Sequence, residues 1–233
     1  MSENIKKITK AFKVDLDSRE NQNILKPSAR PFNNQTHQVN EVAKKIYQLI
    51  KGAKYPNDDI ILNHNEIKEA FFSPFEPQLK DAQVFLSHSH ADRNKALEVK
   101  DYLEEYLDAE CVFIDSLFWD YKDNIVKEMS KYDNTSKIED AFTLIPRESL
   151  QDMIEKCPYF VFLQSNNSVS FNQDLSCTTY SAWIYEELKI AHSIRESRPT
   201  PMMESWQVSH NISPFLESLE TITLSKLSHI INS

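Results

Sequence analysis

A chain of 233 residues with 40% hydrophobic and 26% charged residues has the make-up of one well-buried globular domain with an extension, and is short for two full domains. With a formal charge of −9 and no basic stripe, it lacks the clustered Lys and Arg needed to neutralise a nucleic-acid backbone. The single glycine, Gly52, excludes both a P-loop and a G-x-G-x-x-G fingerprint, so any nucleotide site must be built another way.

No stretch approaches the ~20 apolar residues that a membrane helix requires, and the opening MSENIKKITKAFKVD has no apolar signal region. Three scattered cysteines point to a reducing, cytoplasmic setting, with Cys111 and Cys157 expected as buried thiols.

Residues 1–80 read as an N-terminal extension, polar at first and then partly helical. Val42, Ile46, Leu49 and Ile50 recur at helical spacing before Gly52, and a second short helix fits residues 65–72. Pro74 and Pro77 break the chain ahead of the first convincing strand. From Ala82 onward short apolar runs alternate with amphipathic segments, the pattern of a parallel sheet covered by helices.

Strands are expected at 83–87 (QVFLS), 111–115 (CVFID) and 159–165 (YFVFLQS). Helices are expected at 91–107, with Ala96, Val99, Leu103 and Leu107 on the apolar face, and at 147–156 and 181–194. Residues 119–143 form a long polar excursion. A strand near Trp206 and a final helix over 214–231 complete the reading.

Ligands of open parallel sheets collect beyond the carboxyl ends of the strands. Here those ends carry Ser87-His88-Ser89-His90, Asp115-Ser116 and Ser165-Asn166-Asn167, groups suited to hydrogen-bonding a sugar or phosphate but also typical of solvated loops. One constellation is His88-Ser89-His90-Ala91-Asp92, close to an H-x-H-x-D-H zinc motif. Its sixth position is Arg93, a cation where a ligand belongs, and His192, His210 and His229 stand in no ligand motif. A metallohydrolase is therefore the weakest of three functional classes.

The second constellation joins the first strand to a distant helix. Gln83-Val84-Phe85-Leu86-Ser87-His88-Ser89, with Asp92 following, resembles box 1 of Toll/interleukin-1 receptor (TIR) domains, and CVFIDS at 111–116 resembles their second strand. Ser181-Ala182-Trp183-Ile184-Tyr185-Glu186-Glu187-Leu188 is similar to the S-x-W-x-x-x-E-L helix whose Glu is catalytic in TIR enzymes. Ile184 replaces the usual Cys, and the R-D-x-x-P-G of receptor BB loops is absent, which sets the chain closer to bacterial TIR proteins such as those of Thoeris-type antiphage defence.

The resemblance implies a flavodoxin-like TIR fold over residues 81–233, with about five parallel strands. It also implies cleavage of NAD⁺ as substrate without a cofactor or metal, self-association, and a nucleotide product read by a downstream effector. It assigns catalysis to Glu187.

Trp183 and Glu187, four apart, share a helix face, so the indole can wall a pocket into which the carboxylate points, whereas Glu186 is turned roughly 100° away. Ser87 and His88 would line the cleft from the first strand end, Asp115, Ser116 and Trp119 from the second, and Ser181 and Trp183 from the helix. The alternative of a different class is a TIR module that binds partners without turning over NAD⁺.

Overall fold

The structure, a computed structural model, describes residues 10–27, 44–49, 64–72, 81–107, 111–114, 116, 124–128, 130, 150–171, 176–196 and 210–232. The chain forms two compact units, one of residues 1–28, 81–116 and 151–233, the other of residues 29–80 and 117–150. In the second unit the described elements are helices at 44–49, His64–Phe72 and 124–128, burying Ile46, Ile67, Ala70 and Ile125. The two helices expected before residue 80 fall on the first two of these.

The first unit is α/β, built on a five-stranded parallel sheet of flavodoxin-like type. Its strands are β1 (Lys10–Asp15), β2 (Val84–Ser87), β3 (Val112–Ile114), β4 (Tyr159–Gln164) and β8 (Glu220–Thr221), in the order β3-β2-β4-β1-β8. A separate antiparallel sheet joins β5 (Ser170–Phe171), β6 (Cys177–Thr179) and β7 (His210–Asn211).

Sheets covered on both faces favour strands that are apolar throughout rather than alternating, and β2 is buried at all four positions while β4 buries its central four. In register across the sheet, Phe85 stacks between Phe113 on β3 and Phe160 on β4, with ring centroids 5.8 and 5.9 Å apart. This row of aromatics ties three strands into one core layer.

The Arg93–Leu107 helix follows a 3-10 turn at His90–Asp92 and buries Ala96, Leu97, Val99 and Leu103. Leu107, expected on that face, is only half-buried, whereas Glu104 is buried. Glu104 meets the outer edge of β3: its Oε1 accepts from the Val112 N–H (3.1 Å) and from Lys100 Nζ (2.5 Å), and Lys100 also donates to the Val112 carbonyl (2.6 Å). Side chains of one helix thus satisfy both outward backbone groups of an edge residue, which blunts that edge against further pairing.

The main departure from expectation is β1. Residues 1–80 read as an extension, yet Lys10–Asp15 lies between β4 and β8 in the main sheet, paired with β4 along its whole length from Lys10↔Tyr159 to Asp15↔Gln164. It fills the position next to β4 that a strand following β4 in sequence would fill in a sequential flavodoxin-like order. Its pattern, KAFKVD, buries Ala11, Phe12 and Val14 while Lys13 reaches out to donate to the Leu216 carbonyl at 3.1 Å. Two lysines in six residues hid a core strand inside a polar N-terminus.

The C-terminal reading is also corrected. The helix expected over 214–231 is two helices, Ser213–Glu217 and Leu224–Ile231, separated by β8. Thr223 caps the second, its hydroxyl accepting from the Lys226 N–H at 3.2 Å. Buried Asn21, on the short Arg19–Ile24 helix, fastens the two ends of the chain: its amide donates to the Asp15 carbonyl (2.7 Å) and accepts from the Leu224 N–H (2.9 Å). Strands β5 to β7 were not expected, and the strand near Trp206 lies outside the described residues. Among the described residues no helix is long and apolar enough to cross a membrane.

Candidate active site

In the order β3-β2-β4, the chain moves from β2 to one side and then returns to the other, so the topological switch point falls between β2 and β4. The carboxyl ends of these two strands are joined by side chains. Asp92, buried on the 3-10 turn after β2, accepts from the Ser165 hydroxyl and, at 2.8 Å, from the Asn167 amide in the turn after β4. The Ser165 oxygen in turn accepts from the backbone N–H groups of Asn167 (3.0 Å) and Ser168 (3.2 Å).

The end of β1 joins the same turn. Asp17 accepts from the Asn166 N–H at 3.0 Å and from Lys95 at 3.1 Å. The Asn166 backbone bond, with a smaller contribution from Lys95, holds the Asp17 carboxyl below its ordinary value against a modest opposing effect of burial.

Glu187 stands on the Ala182–Glu196 helix and is fully buried. Its Oε2 accepts a hydrogen bond from the hydroxyl of Ser87, the last residue of β2, at 2.5 Å. Residues 100 positions apart in the chain meet here because the helix packs its buried face, Ile184, Glu187, Leu188 and Ala191, towards the interior of the unit.

Glu186 is also buried, not turned out to solvent, and it pairs with Lys189 on the same helix at 3.6 Å. Glu187 thus reaches the sheet through Ser87, and Glu186 pairs with Lys189 on its own helix. Trp183, one turn earlier, is 40% exposed rather than buried beside the carboxylate. Ser181 is the helix cap, its hydroxyl accepting from the Ile184 N–H at 3.3 Å.

The other expected site residues divide as follows. His88 and Ser116 are buried at positions just beyond β2 and β3. Asp115 and Trp119 lie outside the described residues. Of the eight, Ser87 and Glu187 are joined directly, Trp183 lies on the helix that carries Glu187, and Ser181 caps it.

Within the His88–Asp92 segment, His88 is buried and His90 exposed, while both oxygens of Asp92 are engaged by Ser165 and Asn167. Among the described residues no three His, Cys, Asp or Glu side chains gather as a metal-holding group. Asp17 also belongs to the network at this end of the sheet but was not singled out from the sequence. Asn167 was legible as a strand-end polar residue, whereas Asp17 depends on recognising β1.

No protein-family model matches the chain, and no curated protein and no solved structure gives a match to it.

Proposed function

We propose that this chain is an NAD⁺ glycohydrolase or cyclase in which Glu187 is the catalytic carboxylate. The observation that carries the reading is the position of Glu187, buried and held by Ser87 at the end of β2, beside the switch point where open parallel sheets bind ligands. The resemblance of the Ser181–Leu188 segment to the catalytic helix of TIR enzymes supports the same residue.

Cleavage breaks the bond between ribose C1′ and the nicotinamide nitrogen, and the bonding pair leaves with the nitrogen, which neutralises the pyridinium. The leaving group needs no proton, so the two-carboxylate arrangement of sugar hydrolases is unnecessary. Glu187 would stabilise the positive charge that develops on the ribose, an effect strengthened by a shielded site. Attack by water then yields ADP-ribose, and attack by a group of the same nucleotide yields a cyclic isomer.

Because Glu187 is wholly covered, substrate access requires a rearrangement around it, which in this reading self-association supplies. In this reading the enzyme works in the cytoplasm, in bacterial antiphage defence, and its product signals to an effector protein.

Full burial also favours a second reading, in which Glu187 is a structural core carboxylate and the chain is a binding module without turnover. Incubation of concentrated protein with NAD⁺ in EDTA, followed by mass-resolved chromatography, separates the two. The first reading expects nicotinamide release that falls by at least about 100-fold in Glu187→Gln. No release from the wild-type chain, alone or with lysate of phage-infected cells, selects the second.

A further inference from the structure

Ser87 is placed with unusual firmness for a serine. Its backbone belongs to the central ladder, paired with Phe162 of β4, and its side chain is fully buried. Its hydroxyl faces a carboxylate that is also fully buried, at 2.5 Å, the separation of a charge-assisted O–H···O⁻ bond. Burial alone disfavours an ionised carboxylate, and a donor aimed at the charged form offsets that cost. Burial and the hydroxyl therefore oppose one another at Glu187.

We propose that Ser87 is the positioning residue of this site: its hydroxyl keeps the Glu187 carboxylate ionised and fixes its direction relative to the end of β2. The kinetic part of the proposal rests on the reading of Glu187 as the catalytic group; the ionisation part does not.

A methyl group in place of the hydroxyl leaves Oε2 buried without this donor, so the proton is held more tightly and the active ionised fraction declines at a higher pH. Other titratable groups on the surrounding elements are His88 beside Ser87, Asp92 on the 3-10 turn, Glu186 and Lys189 on the same helix, Cys177 on β6, His210 on β7 against Tyr185, and Glu217 on the Ser213–Glu217 helix. Ser87→Thr, which leaves all of these side chains and the hydroxyl in place, separates loss of the donor from any rearrangement among them.

The test is a ¹³C NMR titration of Glu side-chain carboxyls in the full chain, with Glu187→Gln used to assign the resonance. Ser87→Ala is expected to raise the Glu187 midpoint by about one pH unit, and Ser87→Thr, which keeps a hydroxyl, to leave it near the wild-type value. If near-UV circular dichroism shows that Ser87→Ala does not fold, the nearly isosteric Ser87→Cys, a weak donor, carries the test in the same direction.

Where nicotinamide is released, the acid limb of the kcat profile should move with the NMR midpoint while KM stays within about twofold. An unmoved midpoint in Ser87→Ala or Ser87→Cys overturns the proposal. A moved midpoint without NAD⁺ turnover upholds the ionisation role and removes only the catalytic reading of Glu187.

Discussion

The main sheet has two halves of different origin. The β3-β2-β4 half comes from one stretch of chain and holds the Phe113–Phe85–Phe160 row, whereas the β1-β8 half is drawn from the two ends, with residues 10–15 beside residues 220–221. Each half bears on the site differently. The first supplies Ser87 and the Asp92–Ser165 bridge; the second steadies the turn after β4 through Asp17 and Asn166. Apolar runs marked the first half in the sequence, but the second exists only because distant segments complete one core.

If the halves are a single cooperative unit, a large deletion in either should cost the same. Phe12→Ala in β1 and Phe85→Ala in β2 both remove fully buried rings, and each is expected to destabilise by about 3–5 kcal/mol in one urea transition followed by circular dichroism. A separate early transition in Phe12→Ala would show that the β1-β8 half melts on its own.

The next largest effect sharpens the contrast at the β3 edge. Lys100→Met removes the cation paired with the Glu104 carboxylate, whose side chain is 2% exposed, and the donor to the Val112 carbonyl. A loss of about 3 kcal/mol is expected in the same urea assay. A loss below about 1 kcal/mol would mean that the edge is held by packing alone.

The smallest effect belongs to the clasp between halves. Asp17 has a lowered folded-state pKa, first through the Asn166 backbone bond, so its stabilising contribution is present above the ordinary 3.8 and fades as pH falls below it through the folded value. Because the side chain is about one-third exposed, Asp17→Asn should cost under about 1 kcal/mol at neutral pH. The gap between variant and wild type, read from urea midpoints at successive pH values, should close towards about zero as the pH falls below 3.8 through the lowered folded-state value. A gap independent of pH would assign the effect to geometry rather than charge.

Local pattern sufficed where an element's burial is nearly uniform or its period clear. QVFLS, YFVFLQS and the Arg93–Leu107 helix are visible because every residue or every third or fourth answers to one interior. KAFKVD carries the same burial logic in only six residues with two lysines, and its partners begin at Tyr159 and Glu220. Nothing near it in sequence reveals that it is central. The helix expected over 214–231 merged two helices because ETIT at 220–223 is too short to interrupt an apolar period.

Composition and pattern by themselves determined an α/β unit without glycine-rich phosphate loops, the strand ends where polar groups gather, and a helix bearing two adjacent carboxylates. These follow from residue type and spacing, which the chain carries wherever it folds. Tertiary structure alone decided that the N-terminal strand enters the sheet and that Ser87 meets Glu187 across 100 positions. Such outcomes depend on which distant surfaces are buried together, which residue type and spacing do not carry.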